Sequence, residues 1–259
     1  VSGIIAAVRG NGLGMDGVAD NVRIMSLRAV PDGDEHDKDI ALAIRYAVDN
    51  GARVINMSFG KSFSPQKKWV DEAVRYAESN DVLLVHAAGN DAKNLDTTYN
   101  YPCPELLDGS RPKNWITVGA SGDEKAGGMT ASFSNYGKNE VDVFAPGVRI
   151  YSTVPGGNTY QNQQGTSMAS PVVAGLAAFI MSYFPNLTAA QVKSVIEGSA
   201  LAPADKVRNP GNEELVPLSD LCRTGLVNGY EAAKLAATVT GERKTAPPVK
   251  TKTPVKKGF

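Results

Sequence analysis

The chain has 259 residues with 27 basic and 27 acidic side chains, so its formal net charge is zero. This length fits one large domain with a sizeable buried core. The neutral balance argues against a nucleic-acid partner or an acidic membrane surface, since both select for basic proteins. Two cysteines alone, Cys103 and Cys222, predict no disulfide framework, and separate buried thiols are favoured over a pair.

The first thirty residues predict a helix, a loop and a strand. Residues 1–8 form an apolar helix with no capping residue before it, which is typical of the middle of a longer segment. The glycine-rich loop at 9–17 lacks the Gly-Lys-Ser/Thr ending of a phosphate-binding loop. Its Asn11 and Asp16 are candidate oxygen ligands for a hard cation, although plain turns commonly have the same composition. Alternating residues at 21–30 predict a strand.

Strands and helices then alternate over most of the chain. Helices are predicted at 40–50, 66–80, 188–198 and 228–237, and strands at 54–58, 82–88, 115–120, 141–145 and 150–154. This order indicates an α/β fold with a mostly parallel sheet and helices on both faces. In such sheets functional sites lie beyond the carboxyl ends of the strands. Two candidates occupy such ends, Ser58-Phe59-Gly60 and Gly89-Asn90.

The chain divides into one large folded domain at 1–240 and a tail at 241–259. The tail is rich in Lys, Pro and Thr with almost no large apolar residue, so we expect it to be disordered. The apolar run at 171–184 is too short to span a bilayer and predicts a buried helix instead.

A single heptapeptide, Gly-Thr-Ser-Met-Ala-Ser-Pro at 165–171, organises the rest of the chain. A helix leaves it, which places Ser167 near a helix N-terminus, where unpaired N–H groups and the helix dipole stabilise negative charge. A serine held there can attack a carbonyl and stabilise the resulting oxyanion with its own N–H. The same seven residues are also compatible with an ordinary capped, buried helix.

The heptapeptide resembles the nucleophile motif of subtilisin-like serine proteases, the subtilase family. It differs from the Gly-x-Ser-x-Gly elbow of α/β-hydrolases, because no glycine stands two residues after Ser167. Other segments resemble that family in the same order: Val-Ser-Gly-Ile-Ile-Ala-Ala at 1–7, Val-Ile-Asn-Met-Ser-Phe-Gly at 54–60, Ala-Ala-Gly-Asn at 87–90, Ser-Phe-Ser-Asn-Tyr-Gly at 132–137 and Asp-Val-Phe-Ala-Pro-Gly at 142–147. The resemblance covers residues 1–237.

The resemblance implies a role for each matched site. Ser167 would be the acyl-forming nucleophile, and Asn90 the neutral amide donor of the oxyanion hole. Ser58, Phe59, Gly60 and Gly89 would bind an extended peptide as an added strand. Ordinary turn chemistry after a strand remains the alternative for each of these positions.

The resemblance also implies that part of the catalytic machinery is missing. The family's base is a histidine oriented by an aspartate, but His36 lies in an acidic loop and His86 inside a strand, neither in a His-Gly-Thr-His context. We therefore expect the C-terminal part of a subtilase catalytic domain, starting just after the histidine motif and lacking the N-terminal strands. Such a fragment should be inactive alone. The alternative is a pseudoprotease, a peptide-binding scaffold on the same fold.

Other properties follow from the resemblance alone. Subtilases commonly hold structural calcium in the loop that corresponds to 9–17, so Asn11 and Asp16 are candidate ligands, and no organic cofactor is expected. The family is usually secreted, which implies an extracellular or periplasmic protein. The missing strand should leave a gap inside the sheet, and the exposed edge invites self-association.

Overall fold

The computed structural model describes residues 1–122, 128–157 and 159–244. Its strands are β1 (Val54–Met57), β2 (Leu83–Ala87), β3 (Trp115–Ser121), β4 (Val143–Pro146), β5 (Ile150–Val154), β6 (Thr159–Gln163), β7 (Val207–Arg208), β8 (Leu215–Val216) and β9 (Gly225–Leu226). Its α-helices are α1 (Ser2–Ala6), α2 (Asp37–Asp49), α3 (Lys67–Ser79), α4 (Thr166–Tyr183), α5 (Ala189–Gly198) and α6 (Gly229–Ala236).

The central sheet is parallel throughout, with strand order β1-β2-β3-β4-β9. Side chains of β2 alternate between the two faces, as the pleat of a strand requires. Leu83 and Val85 pack with α4, α5 and α6, whereas Leu84 packs with α2 and α3. The predicted α/β class with helices on both faces is therefore confirmed.

Most predicted elements are present, with ends that differ from the prediction by at most three residues. The two C-terminal helices begin at capped positions: Thr188 and Gln191 form a reciprocal capping box before α5, and the Asn228 side chain accepts from Glu231 N before α6. Of the predicted tail, residues 245–259 lie outside the described residues.

The long helix α4 passes through the protein core. By length and composition it is apolar enough to cross a membrane, but 61% of it is buried inside the protein. It packs against β1, β2 and β3, and this sheet contact accounts for its apolar character. The polar end of the helix, which carries Ser167, lies at the carboxyl ends of those strands.

The strand predicted at 21–30 is wrong. These residues form no strand, and they lie across a cavity of about 820 Å³ from β1. Apolar residues of both segments line the cavity, among them Ile24 and Ile55. A strand needs a hydrogen-bonded neighbour, and in the described part of the chain β1 has only β2 as its partner. In the described residues the sheet is continuous from β1 to β9, so β1 is an edge strand, and the cavity lies beside the sheet and not in a gap inside it.

Candidate active site

Ser167 is the second residue of α4, at the end of the helix that faces the strand termini. The preceding Gly165 has φ of +139°, a value that residues with a side chain rarely adopt, so glycine is required at this turn. The Ser167 hydroxyl is half-buried and lies 3.3 Å from Ser58 O. Its backbone N–H has no acceptor among the described residues, as expected in the first turn of a helix.

The side chain of Asn90 is oriented by the residue before Ser167. Thr166 N donates to Asn90 Oδ1 at 2.8 Å, and the Thr166 hydroxyl lies 3.1 Å from the same oxygen. A backbone N–H can only donate, so the atom facing it must be the amide oxygen. The NH₂ group of Asn90 is thereby left without an acceptor in the part of the chain that the structure describes, on an exposed side chain beside Gly165. A Cβ on Gly165 would lie 3.5 Å from Asn90 Nδ2 and 3.7 Å from Ser167 N, so two donors that are unpaired in the described residues lie close together beside Gly165.

A chain of hydrogen bonds connects the start of α4 to the end of β1. Ser170 Oγ donates to Asn56 Oδ1 at 2.8 Å, and Asn56 Nδ2 donates to Ser58 Oγ at 2.9 Å. Ser58 Oγ in turn donates to Ser167 O at 3.1 Å. Sequence reasoning did not find Asn56 and Ser170 as site residues. The sequence signal that could have found them is a polar side chain within an apolar strand, Asn56, and another at the start of an apolar helix, Ser170. Buried polar groups of this kind need hydrogen-bond partners.

The segment after β1 presents a free backbone edge. The C-terminal end of this segment, Lys61, forms two backbone hydrogen bonds with Tyr101, with N–H···O distances of 3.0 and 2.7 Å. Its N-terminal end, Ser58, is held by hydrogen bonds with Ser167. Between them Gly60 is exposed, and its N–H and carbonyl have no partner within residues 1–122, 128–157 and 159–244. Such an edge can accept an added peptide strand.

The loop that carries Asn90 is held by two further asparagines that sequence reasoning did not assign. Gly89 has φ of +102°, and a Cβ there would lie 2.4 Å from Asn135 Nδ2. Buried Asn135 donates to Ala88 O at 2.8 Å and accepts from two N–H groups of the following loop. Asn100 donates to the carbonyls that end β2, and its Oδ1 lies 2.3 Å from where a Cβ of Gly60 would be. Asn100 therefore occupies the space between the two strand-end segments.

Neither of the two histidines contacts the nucleophile. His86 is 1% exposed, and its Nε2 lies 2.8 Å from Phe59 O. Burial lowers the pKa of His86 to about 4, because the charged ring would lose its hydration. His36 is exposed and precedes the first residue of α2. No hydrogen bond joins either histidine to Ser167 in the described residues.

The predicted calcium ligands Asn11 and Asp16 lie apart from this site, in the loop after α1. Asp16 Oδ1 accepts from Gly10 N at 3.0 Å, and Asn11 Oδ1 accepts from Leu13 N at 2.9 Å. Calcium requires six to eight oxygen ligands, whereas the described residues contain no group of three or more His, Cys, Asp or Glu that could hold a metal. Both side chains are engaged in the turns of the loop, and calcium binding there stays a prediction.

Cys103 and Cys222 are both buried and unpaired. The expectation of two separate thiols is confirmed. Burial raises the pKa of Cys103 to about 11 and that of Cys222 to about 12, so neither thiol is ionised at neutral pH.

A parallel α/β domain with a serine hydroxyl and two unpaired N–H donors beyond its strand ends has the architecture of a serine hydrolase. The chain belongs to the subtilase family, whose profile matches residues 1–230. The segments that resemble the family at 54–60, 87–90 and 165–171 are those that the structure brings together.

Named relatives agree with this membership. The chain is 39% identical over 233 residues to the thermophilic serine proteinase of Bacillus sp. (strain AK1), covering 90% of this chain and 50% of that protein. It is 39% identical over 203 residues to subtilisin DY of Bacillus licheniformis, covering 77% of this chain and 68% of the relative. The chain therefore spans about half to two thirds of the length of these relatives.

Solved structures show the same fold. A protease from Pseudoalteromonas arctica PAMC 21717 superposes with a TM-score of 0.73 at 31% identity, covering 91% of this chain and 69% of that one. The patellamide maturation protease PatA superposes with a TM-score of 0.67 at 26% identity, covering 91% of this chain and 82% of that one.

Proposed function

We propose that this chain carries the nucleophile, the oxyanion hole and the substrate-binding edge of a serine endopeptidase. The observation that supports this best is the orientation of Asn90 by Thr166 N, which leaves the amide NH₂ free beside Ser167. Ser167 Oγ would attack the scissile carbonyl and form an acyl-enzyme. Ser167 N and Asn90 Nδ2 would donate to the oxyanion. Subtilisin's asparagine is the standard example of this role, and its loss costs about 3 kcal/mol of transition-state stabilisation.

The substrate would lie extended along Ser58-Phe59-Gly60, with its scissile carbonyl between Ser167 and Asn90. The exposed, unpaired backbone of Gly60 supports this placement, because main-chain hydrogen bonds of an added strand do not depend on sequence. Gly89 would form the wall of the substrate groove opposite this segment.

An extracellular or periplasmic location is part of the proposal, and a relative of 37% identity is named a cell wall-associated protease. Recovery of the protein from the cytosolic fraction alone would contradict that location.

We further propose that the catalytic base lies outside this chain, which is therefore inactive alone. Ser167 Oγ has Ser58 O as its nearest partner, and His86 is buried against Phe59. A serine hydroxyl of ordinary acidity reacts slowly without a base. In subtilisin, removal of the serine or histidine of the triad lowers turnover by about 10⁶.

Fluorophosphonate labelling of Ser167 tests both proposals, with Ser167→Ala as the control. One sample is the 259-residue chain, and the other is a chimera extended by the aspartate- and histidine-bearing segment of the thermophilic serine proteinase. We expect the chimera to be labelled at Ser167 and to hydrolyse peptides, and we expect neither result for the 259-residue chain. Ser167-dependent hydrolysis by the shorter chain would disprove the missing base. A folded chimera that binds peptides but does not label would favour the scaffold function.

Self-association is a separate proposal that rests on the free edge of β1. This strand has one partner in the described residues, β2, and the cavity lies on its other side. Unpaired edges promote pairing with another chain. Sedimentation velocity over a concentration series should show dimers or larger species, and a monomer at every concentration would contradict the proposal.

A further inference from the structure

The peptide groups of an extended segment point alternately to its two sides, and Ser58-Phe59-Gly60 illustrates this alternation. Ser58 O faces the Ser167 hydroxyl at 3.3 Å. Phe59 O points the other way, into the protein, and lies 2.8 Å from His86 Nε2. Gly60 is exposed again, with its backbone groups unpaired in the described residues. The front of the segment faces the reaction site, and its back contacts His86.

His86 is the partner of the one carbonyl on the back of the segment. A buried carbonyl without a donor is unfavourable, so its peptide group would rotate towards water if the donor were lost. That rotation would also turn the neighbouring peptide groups of Ser58 and Gly60. The ring itself is fixed by packing, since it contacts Phe59 edge-on with centroids 6.4 Å apart and Trp115 at 5.5 Å.

We propose that His86 is a positioning residue for the substrate-binding edge: its Nε2–H holds Phe59 O and so presents the backbone of Ser58 and Gly60 to an extended peptide. The inference rests on the proposed function, because it takes this segment as the edge that binds substrate. The geometry assigns Nε2 as the protonated nitrogen, since a carbonyl can only accept. Deprotonated Nδ1 leaves the ring neutral, in agreement with its burial and lowered pKa.

The test measures how much affinity a peptide gains when it is long enough to extend along the backbone of Ser58-Phe59-Gly60. Fluorescence polarisation compares a labelled hexapeptide with a labelled dipeptide on the full 259-residue chain. The variants are His86→Leu, which removes the donor, and His86→Gln, which retains one. Leu84→Val is the matched control, because Leu84 lies on the same face of β2 and contributes only packing.

In the wild type we expect the hexapeptide to bind at least tenfold more tightly than the dipeptide. This gain should disappear in His86→Leu and be largely retained in His86→Gln and Leu84→Val. A merely structural role would weaken both peptides alike. If His86→Leu fails to fold, His86→Asn replaces it, since the shorter amide cannot reach Phe59 O and should lose the gain.

The results distinguish this inference from the function on which it rests. A wild type without any gain from the longer peptide overturns both. A gain in the wild type that persists in His86→Leu or His86→Asn overturns only the role of His86.

Discussion

Burial of His86 makes the stability of this protein depend on pH. The imidazole is 1% exposed, and burial lowers its pKa from 6.5 to about 4. Between these two values the unfolded chain binds a proton that the folded chain does not bind, so stability rises with pH. The contribution of His86 to the free energy of unfolding is fully present at pH 7.5 and is lost as the pH falls towards 4.

The expected loss from pH 7.5 to pH 5 is about 2 kcal/mol, since each unit of pKa difference is worth 1.36 kcal/mol and the folded ring is still mostly neutral at pH 5. Glu197 acts in the opposite direction. Burial raises its pKa to about 7, so its folded form binds the extra proton and gains stability as the pH falls. The substitution His86→Gln removes the histidine effect and leaves that of Glu197 in place. The difference between wild type and variant therefore isolates His86.

Urea unfolding followed by tryptophan fluorescence measures this difference, because Trp115 lies 5.5 Å from the His86 ring. At pH 7.5 the His86→Gln variant should be less stable than the wild type, and this gap should narrow by about 2 kcal/mol at pH 5. The control Leu84→Val should show a gap that does not change with pH. If the difference in free energy of unfolding between wild type and His86→Gln were the same at pH 7.5 and pH 5, burial of a neutral His86 would not contribute to the pH dependence of stability.

Three further predictions concern other parts of the molecule. The substitution Asn100→Gly removes the two hydrogen bonds to Ala87 O and Ala88 O beside Gly60, so a labelled hexapeptide should bind about tenfold more weakly by fluorescence polarisation; an unchanged affinity would show that Asn100 does not support the substrate-binding edge. Calorimetry should detect weak calcium binding or none, because the described residues contain no cluster of three or more His, Cys, Asp or Glu side chains to hold the ion; micromolar affinity would contradict this. A thiol reagent should modify Cys103 and Cys222 only after unfolding, since both are buried; rapid modification of the folded chain would contradict this.

The periodicity of apolar residues was enough to predict most helices and strands of the sheet. The predicted strands at 54–58 and 82–88 became β1 and β2 almost unchanged, since their apolar residues pack against helices, completely for β2 and in part for β1. The same reasoning failed at 21–30. Alternation predicts which side of a segment is apolar, but a strand also needs a neighbour to complete its hydrogen bonds.

The candidate site divides in the same way. Sequence order alone predicted Ser167 at a helix start and Asn90 at a strand end, because glycines, small residues and apolar runs are local signals. Only the tertiary structure decided which atom of Asn90 faces Thr166, that Asn56 and Ser170 connect β1 to α4, and that His86 contacts the back of the substrate-binding segment. These contacts join residues 27 to 114 positions apart. Their partners are chosen by the packing of α4 against the parallel sheet, which no local pattern in the sequence records.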